Sequence, residues 1–193
     1  MAATIVQSAE GTSTSATVTA SFPVTPTNGN VIVLAFASDD YNGTPNTGWT
    51  QSPGMEQQTF HGAYLWWKVA AGGSNSFQYT IGSATNSSWV LLEISGLDAS
   101  AYDISAGQFA QSSGGSYLTP ALTPSAGERF MLAYMGASHS SGDFSADLAT
   151  WSNGFAHIRS SGPVSASGTR DVVSVASLSV TANGSTNYST TGT

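Results

Sequence analysis

Two-residue alternation constrains this chain more than any other feature of it. In Ala16-Thr17-Val18-Thr19-Ala20-Ser21-Phe22 the apolar side chains fall on one face and the hydroxyls on the other, the pattern of a strand half buried on a pleated sheet. Phe77, Tyr79 and Ile81 repeat it. Val31 to Phe36 and Phe130 to Met135 are apolar on both faces and read as central strands covered on two sides. Ala63 to Val69 places Ala63, Leu65, Trp67 and Val69 on one face, and Tyr64, Trp66 and Lys68 on the other. Turn chemistry separates these runs at Pro23 and Pro26, Asn28-Gly29, Asn42-Gly43, Gly72-Gly73, Gly114-Gly115, Gly162-Pro163 and Asn183-Gly184. No segment carries an apolar stripe of helical period. About twelve short strands are expected, and with them an all-β sandwich or barrel.

The chain also echoes itself. Val24-Thr25-Pro26-Thr27-Asn28-Gly29-Asn30 leads into Val31 to Phe36, and Leu122-Thr123-Pro124-Ser125-Ala126-Gly127-Glu128 leads into Arg129 to Tyr134. The two align without gaps, and a Trp follows each, Trp49 and Trp151. An offset of about half the chain indicates a two-fold pseudo-repeat, with halves near 1–98 and 99–193. Two tandem sandwiches or one interleaved sandwich satisfy it. Half the chain makes a marginal domain, and the joint near Asp98 to Tyr102 is short. The expectation is therefore one domain over residues 1–193, a jelly-roll-like antiparallel β-sandwich.

Composition bounds the function. Charged residues are 8% of the chain, against roughly 25% in an average domain. The exterior must then be built from Ser, Thr, Asn, Gln and Gly. Four cations, Lys68, Arg129, Arg159 and Arg170, against a net charge of −7, cannot neutralise a phosphate backbone or an anionic bilayer. Neither nucleic acid nor membrane is an expected partner. Without cysteine, disulfides and thiolate metal sites are excluded. No apolar run reaches the ~18 residues of a membrane span, and the N-terminus lacks the basic start and apolar stretch of a signal peptide.

Catalytic motifs are missing, and the expectation is a non-enzyme without a cofactor. There is no Gly-x-Ser-x-Gly and no Ser-x-x-Lys. His61, His139 and His157 stand apart from one another. Glu93 is the one acid inside a strongly apolar strand, Trp89 to Ile94. In a cleft it would serve as the acid of a glycoside hydrolase; otherwise it is a strand carboxylate at a sheet end or one hydrogen-bonded to a neighbouring loop. Asp39, Asp40 and Asn42 offer a weak Ca²⁺ candidate or an ordinary Asx-rich turn.

The aromatics leave three readings open. Trp67 alternates with Leu65 and Val69 and belongs to the core. Tyr64 and Trp66 on the opposite face, with Trp49 and Trp151, are candidates for a protein interface, for stacking on sugar rings, or for plain packing.

The motifs Asn28-Gly29-Asn30-Val31-Ile32-Val33-Leu34-Ala35-Phe36, Gly48-Trp49-Thr50, Tyr64-Leu65-Trp66-Trp67-Lys68-Val69-Ala70 and Ser88-Trp89-Val90-Leu91-Leu92-Glu93-Ile94-Ser95-Gly96-Leu97-Asp98 follow in this order over about half the chain. In this the chain resembles virion-associated jelly-roll proteins of tailed bacteriophages, a group with related domains in bacterial secreted proteins. The resemblance implies an accessory structural protein on a phage particle: first a capsid decoration protein, then a head fibre or minor tail protein. It would be oligomeric or bound to the major capsid or another virion protein, with no cofactor. The chain departs from that pattern in having no recognisable capsid-binding arm, a role open to Met1 to Gly11 if that stretch is not simply the first strand. The alternative is a carbohydrate-binding module that adheres to a host surface glycan.

Overall fold

Apolar residues on both faces force a strand into the middle of a stack, and all eight residues of β3 (Val31–Ser38) are buried. The computed structural model describes residues 2–39, 44–45, 48–52, 57–58, 61–82, 86–98, 103, 105–106, 117–139, 150–164 and 170–192. β3 is flanked on one side by β7 (His61–Val69) and on the other by β9 (Ser87–Ser95), both antiparallel. β1 (Thr4–Ser13) extends the sheet beyond β9. The two-residue strands β5 (Thr50–Gln51) and β6 (Gln57–Gln58) pair with β7. The result is a six-stranded sheet with a bulge in β1 between Ile5 and Gln7.

Three smaller antiparallel sheets complete the fold, two of them packed against this one. β2 (Thr17–Ser21), β8 (Ser76–Thr80) and β4 (Thr44–Pro45) form the first, with β8 in the centre. β11 (Gly127–His139), β13 (Arg170–Ala182) and β12 (Ala156–Val164) form the second, with β13 in the centre. β10 (Tyr117–Leu118) and β14 (Thr191–Gly192) form a short ribbon. The fold is thus an all-β antiparallel sandwich whose six-stranded sheet is covered on both faces. Among the described residues there are fourteen strands and no helix.

Three hydrophobic clusters fill the spaces between layers. In the first, Ile32, Leu34, Phe36, Tyr64, Trp66 and Leu91 of the six-stranded sheet meet Val18, Ala20, Phe77 and Tyr79 of the β2–β8 sheet. In the second, the opposite face of the same strands, Val31, Val33, Ala35, Val90, Leu92 and Ile94, meets Val173 and Val175 of β13. The third lies behind β13, where Val172 and Ala176 pack with Ala133, Met135, Trp151 and Phe155. Alternation along β13 therefore serves two cores at once, as the period of a strand requires.

The two halves of the sequence meet differently from the interleaving expected of them. Every described ladder joins strands of the same half. The halves stack face to face across the second cluster instead, because the β3–β9 pair is apolar on the side that the first half cannot cover. Cross-links reinforce the contact. The Tyr134 hydroxyl donates to the Phe36 carbonyl at 2.6 Å, and the Ser88 hydroxyl to the Asp171 carbonyl at 2.7 Å. Arg159 of β12 reaches Ser8 and Glu10 of β1 at 2.8 and 2.6 Å. The echoing segments also differ in position. β3 has a partner on each edge, whereas β11 pairs with β13 alone among the described residues. Both faces of β11 are covered, by the second and third clusters, but the strand is not central in its sheet.

At Gly136 the two halves pack without room for a side chain. A Cβ there would lie 2.9 Å from Ala63 Cβ and 3.0 Å from Ala37 Cβ, closer than packed carbons approach. Gly136→Val is expected to lower the unfolding free energy by about 1–3 kcal/mol, read from urea denaturation followed by tryptophan fluorescence. An unchanged midpoint would show that the halves do not press together here.

Candidate functional site

Strand register sets one row of side chains across four strands at one end of the first core. Gln7 of β1 stands opposite Glu93 of β9, Glu93 opposite Ile32 of β3, and Ile32 opposite Lys68 of β7. Ile32 belongs to the first cluster, so the row opens toward the β2–β8 layer. Glu93 and Lys68 are the charged members, and they do not pair. Two strand spacings of about 4.8 Å each separate them, with the Ile32 side chain between.

Each is accommodated separately. Glu93 is 1% exposed. Its carboxylate accepts hydrogen bonds from Gln7 Nε2 at 2.6 Å, the Thr27 backbone N–H at 2.8 Å and Asn30 Nδ2 at 2.5 Å. Burial pushes the carboxyl pKa up, but these donors outweigh it and hold the group below its ordinary value of 4.5. A second bond from Gln7 Nε2, to the Val24 carbonyl at 3.0 Å, ties in the start of the same loop. Glu93 is therefore the anchor of residues 24–30, the loop-bound strand carboxylate of the two readings. A general acid needs a proton and access to substrate. An enclosed, ionised carboxylate supplies neither, so the geometry gives no support to the hydrolase reading of Glu93.

Lys68 lies under aromatic rings. Its Nζ stands 4.7 Å from the Trp49 ring centroid and 4.3 Å from that of Phe77, within reach of the cation–π attraction. Trp49 and Phe77 meet edge to face at 5.7 Å. The short strand β5 brings Trp49 there, since Thr50 pairs with Trp67, the residue before Lys68. Partial burial lowers the Lys68 pKa. Beside the ammonium runs a groove of about 270 Å³, walled by Pro26, Ile32, Val69 and Phe77 and by the Gly72–Ser74 turn. Gly72 and Gly73 have φ of 78° and 85°, a backbone that glycine adopts without strain. They turn the chain sharply at the rim.

The other sequence-derived candidates are distributed differently. Tyr64 and Trp66, the expected outward pair, are each 1% exposed and stacked on Phe36 at 5.1 and 4.7 Å. This corrects the assignment. The face opposite Trp67 is covered by the β2–β8 layer, and rings sealed there reach neither sugar nor partner. Trp67 itself packs, partly buried, against the second cluster. Trp151 is 9% exposed and donates from Nε1 to Ser174 Oγ at 3.3 Å, which places it in the third core. Trp49 is half-buried and packs against Lys68 and Phe77, two residues that line the groove. Asp40 and Asn42 lie outside the described residues, while Asp39 accepts from Asn86 Nδ2 at 3.0 Å. No metal-binding group of His, Asp and Glu occurs among the described residues. His157 is exposed on β12, and the side chains of His61 and His139 are outside the description. No helix among the described residues is long and apolar enough to cross a membrane.

Sequence reasoning missed the Gln7–Glu93–Ile32–Lys68 row. Parity within each strand put Lys68 on the Trp66 face and Glu93 on the Trp89 and Leu91 face. Only the registers between strands put them in line.

Two outcomes test this site. Glu93→Gln removes the charge and turns an amide N–H₂ toward N–H donors, at an expected cost of about 1–3 kcal/mol at neutral pH. Because the folded carboxyl titrates below its unfolded value, its stabilisation is complete above pH 4.5 and is lost as pH falls through the folded value. Urea midpoints of wild type and Glu93→Gln should converge as the pH falls through the lowered pKa of the folded carboxyl; a gap independent of pH would refute the ionised clamp. Trp66→Ala should cost about 3–5 kcal/mol by the same assay, a loss of core packing that an exposed ring would not show. Comparison with known protein families, curated proteins and solved structures finds no match, so the chemistry of these residues has to carry the functional reading.

Proposed function

We propose that the chain is a structural, non-catalytic protein of a tailed-bacteriophage particle, with decoration of the capsid as its first assignment and a head-fibre or minor tail position as the variants of it. The observation that carries the reading is the outer face of the β2–β8 sheet. Thr17, Thr19, Ser76, Gln78 and Thr80 are exposed there, with Ser21 beside Ser76 at 3.0 Å and Gln78 near Thr19 at 3.5 Å. These positions carry no charge and no aromatic ring. Such a face offers weak, direction-specific hydrogen bonds over a broad area. It suits a subunit repeated by symmetry, where avidity multiplies individually small contacts.

The resemblance to phage jelly-roll proteins supports the same assignment. Its motif residues lie largely on β3, β7 and β9, the three inner strands of the six-stranded sheet. Partners of this class are the major capsid or another virion protein and further copies of the chain. The carbohydrate-binding alternative loses Tyr64 and Trp66, the rings on which its platform depended.

Gold-labelled antibody against the purified chain, applied to phage particles from a lysate of the producing host, is expected to decorate heads at many equivalent positions. Label confined to tails would select the minor tail variant. Unlabelled particles, together with a purified chain that stays monomeric in light scattering, would overturn the reading.

A further inference from the structure

We propose that the groove beside Lys68 is a binding site for a small ring-shaped carboxylate, with an acidic monosaccharide unit such as a uronic acid as the ligand class. The inference is independent of the virion assignment and stands on the geometry of the groove.

Lys68 is the single lysine of a chain with net charge −7. Among the described residues the ion pairs are Arg129 with Asp103 and Arg159 with Glu10, and Lys68 belongs to neither. Glu93, the nearest acid along its row, already has three donors. The ammonium is instead placed over two rings, 4.7 Å from Trp49 and 4.3 Å from Phe77. Rings attract a cation without satisfying its N–H donors as a carboxylate does. Partial burial also lowers the Lys68 pKa, as expected of an ammonium short of compensating negative charge. An anion entering the groove would supply that charge in a half-desolvated setting, where it counts for more than on open surface.

Size and lining narrow the class. A volume of about 270 Å³ lies just under the range of roughly 300–1,000 Å³ that takes drug-sized ligands, and so fits one ring. Pro26, Ile32 and Phe77 offer apolar contact to a C–H face, and Gly48, Gly72 and Ser74 also line the groove. One cation suits one carboxylate, whereas a phosphate dianion calls for more donors. The mixed wall suits a hydroxylated ring better than an aromatic acid. The groove is also held in shape from behind, because Glu93 fixes the loop that contributes Pro26.

Reductive methylation with ¹³C-formaldehyde marks the Lys68 amine, and the chain's only other amine is its terminus. The dimethyl-lysine signal should be shifted upfield by the rings, which tests the placement before any ligand is added. Sodium glucuronate should then shift that signal, and the amides of Ile32, Val69 and Gly72 in unmodified ¹⁵N-labelled protein, saturably with Kd on the order of 1 mM. Glucose should be at least tenfold weaker for want of the charge, and benzoate at least tenfold weaker for want of hydroxyls. Lys68→Met should abolish the amide shifts. Equal response to glucose, undiminished response in Lys68→Met, or no saturable response to glucuronate would overturn the site. A response to benzoate matching that to glucuronate would overturn the sugar assignment. If Lys68→Met does not fold, the methylated wild type still decides between these outcomes.

Discussion

A sheet buried on both faces has no water to fall back on, and that condition governs the rest of this structure. Each backbone N–H and C=O within it must be paired in the ladder or left at a cost of a few kcal/mol. β3 meets the condition through its neighbours, with eight residues in register on β7 and eight on β9. β9 is held likewise between β3 and β1. The polar side chains caught on these strands find partners in the layers above and below. Ser87 accepts from the Tyr79 hydroxyl at 3.3 Å, Ser88 donates to the Asp171 carbonyl, and Glu93 takes three donors. Burial thus turns polar residues into bolts between layers. Ser87 fixes β8, Ser88 fixes β13, and Glu93 fixes the loop before β3.

The few charges follow the same logic. Arg159 spans from β12 to β1, and Arg129 at 3.0 Å from Asp103 ties β11 to the segment before β10. Hydrogen bonds from Ser125, joined by Arg129, hold Asp103 below the usual carboxylate range. Both arginines sit at seams between parts of the chain. Exposed pairs of this kind contribute little net stability, so their main effect is on register: they select which strand edge meets which. Cations placed at seams are not spread over the outer sheet, and a hydroxyl face remains there. Low charge and layered burial are in this sense one arrangement.

What the sequence made legible was the parity of each strand. Alternation identified β2 and β8 as half-buried, and uninterrupted apolar runs identified β3 and β11 as covered on both faces. Parity says that Trp66 and Trp67 face opposite ways, but not which way is outside, and here neither is. The count of layers is a long-range property that neither tryptophan's neighbours in sequence encode. The echo between Val24–Phe36 and Leu122–Tyr134 was legible for the same local reason, since turn and strand chemistry repeat. Ladder partners are set by what remains uncovered after both halves collapse, and so β3 became central and β11 did not. At the candidate site the loop-bound reading of Glu93 followed from its position in an apolar strand. Its donors were hidden, for Gln7 is 86 residues away and Asn30 is 63. Lys68 was visible as a residue on the Trp66 face, but its rings come from β8 and from the residue before β5.

The closed interior and the proposed docking role constrain each other. A chain that places Tyr64, Trp66, Trp89 and Trp151 inside gives up the residues that most often supply concentrated binding energy at an interface. What it keeps on the outer face of the β2–β8 sheet is a set of hydroxyl and amide groups that are already hydrated. Exchanging water for partner gains only about 0.5–1.5 kcal/mol per hydrogen bond, and the loss of translational freedom cancels several such bonds. One subunit docking alone through such a face would bind weakly. Many subunits on a lattice of equivalent sites escape that limit, because each neighbour already held raises the effective concentration of the next contact. The physics of this exterior therefore favours a repeated partner over a solitary one.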